Sequence, residues 1–168
     1  MIITSCKGAD MDVKEKERVL QKSRIIADFQ FGKGAGAILF PDTVEFVLSR
    51  TSRISQIKEH EKRIATLRSS DGLFTLSIEG ARRLHRFLPY PQLRVIMNEE
   101  VSEFIRKGGT AFCKHVRDAD PAIRAYDEVL VVDETDRLLA TGKAMLAGEE
   151  LRIFKHGVAV KVRYGIEE

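Results

Sequence analysis

Six cations and one glycine pair in the second half of the chain have the chemistry to meet a polyanion. They are Arg106, Lys107, Lys114, Lys143, Lys161 and Arg163, with Gly108-Gly109. Lys and Arg neutralise phosphates, and glycine lets the main chain approach without Cβ bulk. Each also has a plainer role. Arg106-Lys107-Gly108-Gly109 reads equally as a helix C-terminus, with cations in the last turn and Gly just beyond it. Strand lysines such as Lys114, Lys161 and Lys143 also protect sheet edges. Upstream, Arg82, Arg83 and Arg86 form either a solvated helix face or a phosphate-contacting ridge.

Other reactive residue types do not assemble into a site. Cys6 and Cys113 stand far apart with no CxxC or CxxH, so neither a structural zinc nor a disulfide framework is expected. His60, His85, His115 and His156 are scattered, and His85 reads as a half-buried packing residue. Asp118, Asp120, Asp127, Glu128, Asp133, Glu134 and Asp136 look like turn and cap positions facing away from any polyanion, not a catalytic carboxylate pair. Gly32, Gly34 and Gly36 are not followed by GK[ST] and do not form GxGxxG, so a tight, closely packed turn is the better reading than a nucleotide loop. No cofactor is predicted.

The elements that position these residues follow from periodicity. Asp12–Ala27 predicts an amphipathic helix, with Val13, Leu20 and Ala27 every seven residues. Strands are expected around 45–49, 64–67 and 73–78, with a turn at Ser70-Asp71-Gly72. Glu79–Leu88 predicts a helix with Ala81, Leu84, His85 and Leu88 on one face. Pro89-Tyr90-Pro91 then breaks the chain and sets a domain boundary. Beyond it come a strand at Leu93–Met97, a helix from Asn98 to Arg106 or Lys107, and a strand at Thr110–Val116. A helical turn at Ala119–Arg124 follows, then strands at Glu128–Val132 and Arg137–Met145. A helix at Gly148–Phe154 and a last strand from Val158 complete the pattern. Short strands with brief helices predict a small mixed β-barrel.

With 168 residues, 43% apolar and 32% charged, the chain fits one domain or two small ones and excludes a (β/α)₈ barrel. No Trp and 7% aromatics predict a mostly aliphatic core. Residues 1–88 carry 16 Lys and Arg against 11 Asp and Glu, and residues 89–168 carry 12 against 14, so the first half is the basic one. Met1–Val13 lacks the apolar core of a signal peptide, and no run reaches membrane-span length, so a cytoplasmic protein without membrane association is expected.

Leu93–Gly165 resembles a PUA domain. The likeness rests on the opening from Val95 to Val116 through Gly108-Gly109, on Ala119–Val132, on Leu139–Ala144, and on Gly157–Arg163. Ile26–Gly36 and Ala65–Leu76 are similar to the domain preceding PUA in archaeal tRNA-guanine transglycosylases, the archaeosine-pathway enzymes. The resemblance covers roughly residues 20–165 and leaves 1–19 outside. It implies an α+β fold: a small α/β domain over residues 1–90 and a PUA-type mixed β pseudo-barrel over residues 91–168. That family's barrel, catalytic aspartates and zinc site have no counterpart here, nor has the Cys- and Lys-bearing motif of related amidinotransferases. The resemblance therefore implies a non-catalytic RNA-binding protein that takes the acceptor end of tRNA as an accessory to a tRNA-modifying enzyme. Its groove would be formed by Arg106, Lys107, Gly108, Gly109, Lys114, Lys143, Lys161 and Arg163, extended by Arg82, Arg83 and Arg86. A subunit docking onto a catalytic partner in a split archaeosine-pathway enzyme is the alternative, and an enzyme with an unfamiliar site is the third.

Overall fold

The computed structural model describes residues 11–167, and Cys6 lies outside them. The chain divides into two compact units, one ending at Phe74 and the other starting at Thr75.

The first unit opens with helix α1 (Val13–Phe31). Asp12 caps it by accepting from the Glu15 N–H at 2.8 Å. The helix runs one turn past the expected end because its stop is Gly32, at φ 113°, and not the Phe29–Phe31 stretch. Gly34, in the left-handed region at φ 92°, turns the chain into α2 (Ala35–Leu39). A Cβ on Gly36 would collide with the Arg24 backbone, which explains a glycine at this close approach. Asp28 Oδ1 takes the Gly36 N–H at 2.7 Å, so this loop spends an amide on its own carboxylate and is the tight turn expected.

Strands β1 (Glu45–Leu48), β2 (Ile54–Glu59), β3 (Lys62–Leu67) and β4 (Phe74–Leu76) form a sheet in sequence order. The charged stretch holding β2 was not expected to be a strand. Its hairpin to β3 turns through His60 and Glu61, both at positive φ, in residue types that do not announce such a turn. The Phe40 and Phe74 rings meet at 5.0 Å between centroids, and Leu39, Ile57 and Ile64 are also fully buried. Gln30 holds the Phe74 backbone through both N–H and C=O at 2.8 Å.

The second unit begins with α3 (Ile78–Phe87), capped by Ser77. Then follow β5 (Arg94–Met97), α4 (Ser102–Arg106), β6 (Ala111–Phe112), β7 (Val116–Ala119), β8 (Glu128–Val132), β9 (Leu138–Ala144), α5 (Gly148–Ile153) and β10 (Val158–Gly165). The sheet order is β6-β10-β9-β8-β5-β7, antiparallel except for β5 with β8. Its two edge strands, β6 and β7, are consecutive in the chain, so the sheet curls into a nearly closed mixed barrel. Val95, Met97, Ile105, Val129, Val131, Leu139, Leu151 and Val160 fill it.

Three local expectations are corrected. Thr110–Val116 is not one strand, because a 3₁₀ turn at Cys113–His115 separates β6 from β7 and lets the edge turn the barrel's corner. The helix after Asn98 begins as a 3₁₀ turn at Glu99–Val101, and Asn98 makes no side-chain cap bond. Ala119–Arg124 is a turn held by Asp120, whose carboxylate accepts from Ala122 N–H at 2.9 Å and Leu93 N–H at 2.8 Å. A buried cation also sits where an apolar strand was expected. Arg94 is 2% exposed, and its guanidinium donates to Asp136 and to the carbonyls of His85, Leu88 and Gln92 at 2.8–3.1 Å. Every direction of the charge is thereby satisfied.

Candidate nucleic-acid interface

Strand β10 carries two of the six predicted cations, Lys161 and Arg163, and runs past two others. It starts beside β6, with Val158 opposite Phe112 and Val160 opposite Ala111. It ends where a Cβ on Gly165 would strike the Arg106 carbonyl and the Gly108 nitrogen. Lys161 lies between these points. Across β9 it faces Lys143, and Lys143 in turn faces Glu128 on β8. Two like charges thus stand opposite each other, an arrangement that does not serve the sheet. Neither lysine joins an ion pair among the described residues, and Lys143 lies 5.4 Å from the centroid of the Tyr126 ring.

At the far end of β10, α4 delivers Gly108-Gly109. The Phe104 ring lies over Gly109 so closely that a Cβ there would collide with it, yet Phe104 is 58% exposed. The loop thus shows an exposed aromatic ring stacked on a half-buried glycine main chain. Arg106 and Lys107 are less available than their positions suggest. Arg106 pairs with Glu167, and Lys107 donates to Glu103 at 2.7 Å. That bond raises the Lys107 pKa and lowers that of Glu103. Arg106 also lines a cleft of about 390 Å³ in which it and Arg137 face five carboxylates, those of Glu99, Glu100, Glu103, Asp133 and Glu167, so the net sign is wrong for phosphate.

Lys161 and Arg163 do not share one strand face in the simple way their spacing predicts. The β9–β10 register shifts between Val162 and Tyr164, so Arg163 sits in a bulge and donates to the buried Glu128 carboxylate at 3.3 Å. Lys114 falls on the 3₁₀ turn and not within a strand. It lines a pocket of about 240 Å³ with Phe112, Lys155, His156 and Gly157. Lys155 and His156 were not singled out from the sequence; their signal was the Gly157 that follows, at φ 90°. Phe104 had a signal too: Ile105 is buried, and its helix neighbour must point elsewhere.

Arg82, Arg83 and Arg86 are on α3, which belongs to the second compact unit although it lies in the basic half of the sequence. Arg83 donates to Glu79 at 3.2 Å, Arg82 is half-buried, and Arg86 is exposed. His85, half-buried as expected, contacts the Asp136 carbonyl at 2.7 Å. The acidic residues serve the fold. Burial resists ionisation of Asp133, but the Arg137 N–H, the Thr135 hydroxyl and the Arg137 guanidinium outweigh it and lower its pKa. Asp127 accepts from the Arg124 N–H, while Asp118 and Glu134 pair with Arg152 and Arg117. Among the described residues no group of His, Cys, Asp and Glu could hold a metal ion, and no helix is long and apolar enough to cross a membrane.

Residues 21–91 match the patch-forming domain C2 of tRNA-guanine transglycosylase, and residues 93–166 match the PUA domain. The chain therefore carries a C2-type domain followed by a PUA domain. Its relatives include tRNA-guanine(15) transglycosylases of Pyrococcus furiosus, 50% identical over 153 residues, and of Methanothermobacter thermautotrophicus, 50% identical over 147. These alignments take in 91% and 87% of this chain but only 26% and 22% of the relatives. The C2–PUA chain thus spans about a quarter of the curated relatives it matches. Among solved structures, a hypothetical protein from Pyrococcus horikoshii OT3 superposes with a TM-score of 0.71 at 21% identity, over 90% of this chain and 92% of that one. A conserved PUA domain protein from Thermoplasma acidophilum gives 0.60 at 16%, over 89% of both chains. The C2–PUA fold is common to these structures.

Proposed function

We propose that the C2–PUA chain is a non-catalytic RNA-binding protein that takes the acceptor end of tRNA and acts beside a tRNA-modifying enzyme. The observation that carries this reading is the cross-strand pair Lys143 on β9 and Lys161 on β10, neither in an ion pair among the described residues, beside the β10 end where Gly165 meets Gly108. Like charges opposed on a sheet cost stability, and an incoming phosphate would relieve them. The exposed Phe104 ring beside Gly109 offers a stacking surface to an unpaired terminal base. The non-catalytic reading rests on the match to the C2–PUA quarter of the relatives. Within the predicted groove the contacts are assigned to Lys143, Lys161, Gly108 and Gly109. Lys114 is its second basin, with Lys155. Arg106, Lys107 and Arg163 would have to leave a carboxylate to take part.

The test is binding of a tRNA transcript, with and without its 3′ overhang, at two salt concentrations. Preference for the intact end that persists at the higher salt is expected. A weak signal, indifferent to the overhang and abolished by salt, would mean only nonspecific charge attraction and would overturn the reading.

A further inference from the structure

The first unit carries a surface that its own fold does not use. On α1, Leu20, Ser23, Ala27 and Phe31 are buried. At 100° per residue, Lys14, Arg18, Lys22, Ile25 and Phe29 lie on the opposite side. Phe29 is 84% exposed and Ile25 64%. Lys14, Arg18 and Lys22 are all exposed, and none joins an ion pair among the described residues. Helix energetics does not explain this placement. Cations stabilise a helix at its C-terminal end, yet the last turn of α1 has no basic residue and two of these three lie in its first two turns. We infer that the outward stripe Lys14–Arg18–Lys22–Phe29 of α1 is a second RNA contact, in which the cations track successive phosphates and Phe29 stacks on an unpaired base.

Charge and spacing decide the occupant. Residues four apart rise about 6 Å along the helix, on the order of the separation of neighbouring phosphates on one strand. Glu15, at the border of the stripe, is the acidic residue of the first turn. A second copy of this chain fits poorly, because apposing two such stripes sets cations against cations or buries them against Ile25 and Phe29. A polyanion with a flat apolar face fits both halves of the stripe, and an unpaired nucleotide strand has both features. The inference rests on the RNA-binding reading above and extends it to residues that precede the matched C2 region or lie at its start.

The experiment uses the full chain and a tRNA transcript. Triple substitution Lys14→Ala, Arg18→Ala, Lys22→Ala keeps good helix formers on an exposed face, so the fold is retained. It is expected to reduce the magnitude of the slope of log K against log salt by about 2 to 3. Phe29→Ala is expected to weaken binding about tenfold for RNA with an unpaired stretch and to leave a blunt duplex unaffected. A photo-crosslinking residue at position 29 should capture RNA. Unchanged slope and affinity in the triple variant, while Lys161→Glu loses binding, overturns this inference and leaves the reading above standing. Capture of protein in place of RNA at position 29 overturns it too. Absence of RNA binding by the native chain overturns both.

Discussion

Replacing Lys161 by Glu should raise stability and lower RNA affinity together, a pairing of signs that a purely structural lysine would not give. Lys161 faces Lys143 directly across the β9–β10 ladder, so the native pair is repulsive and the variant pair attractive. Cross-strand charge pairs contribute roughly 0.2–1 kcal/mol, so the swing is about 0.5 kcal/mol, or 1–2 °C in Tm for a chain of this size. For binding, the new carboxylate removes one phosphate contact and neutralises a second at Lys143. The salt slope then falls by about 1.4 if the strand is single and about 1.8 if it is duplex. Over a fourfold rise in salt, from 50 to 200 mM, the native protein loses about tenfold more affinity than the variant. Fluorescence anisotropy with labelled tRNA across that range, beside a thermal melt, reads both effects. An unchanged slope, or a lost slope accompanied by a lower Tm, would refute the argument: the first because Lys161 touches no phosphate, the second because the variant simply unfolds.

Three further outcomes follow from the same structure. Gly165→Ala forces a Cβ into the Arg106 carbonyl and the Gly108 nitrogen, both backbone, so it should cost about 1–3 kcal/mol in urea unfolding; a neutral result would mean that α4 moves freely from β10. Arg94→Met leaves Asp136 and the carbonyls of His85, Leu88 and Gln92 without their donor, and a loss of about 3–5 kcal/mol is expected, against less than 1 if water replaces the guanidinium. For Asp133 the folded pKa is lowered, so its contribution is present above the unfolded carboxylate pKa of 3.8 and is lost as pH falls through the folded value. Asp133→Asn should therefore flatten the loss of stability below about pH 4, and an acid-unfolding curve parallel to the native one would contradict this assignment.

Much of the architecture was legible in local signals. Asp12 and Ser77 begin helices as caps, Gly32 and Gly108 end them, and the largely apolar runs at 128–132 and 138–144 are buried strands in which only Glu128, Thr141 and Lys143 are polar. The Gly108-Gly109 loop and the cations around it were legible too, as types of residue at a chain break. What those cations face was not. Which carboxylate meets a guanidinium is set by strand order and register, and these join residues 35 to 61 apart, as Arg163 joins Glu128 and Arg106 joins Glu167. The β10 bulge that turns Arg163 away from Lys161 has no residue signature.

By itself, then, the sequence determined the elements, the glycine-opened loop and the excess of positive charge in its first half, because caps, breakers and periodicity act over a few residues. Only the tertiary structure decided which positive charges are spent on the fold and which are left over. It paired Arg106 and Arg163, opposed Lys143 to Lys161, and left one side of α1 bare. A charge is neutralised by whatever folding brings within a few ångströms, and sequence separation carries no record of that distance.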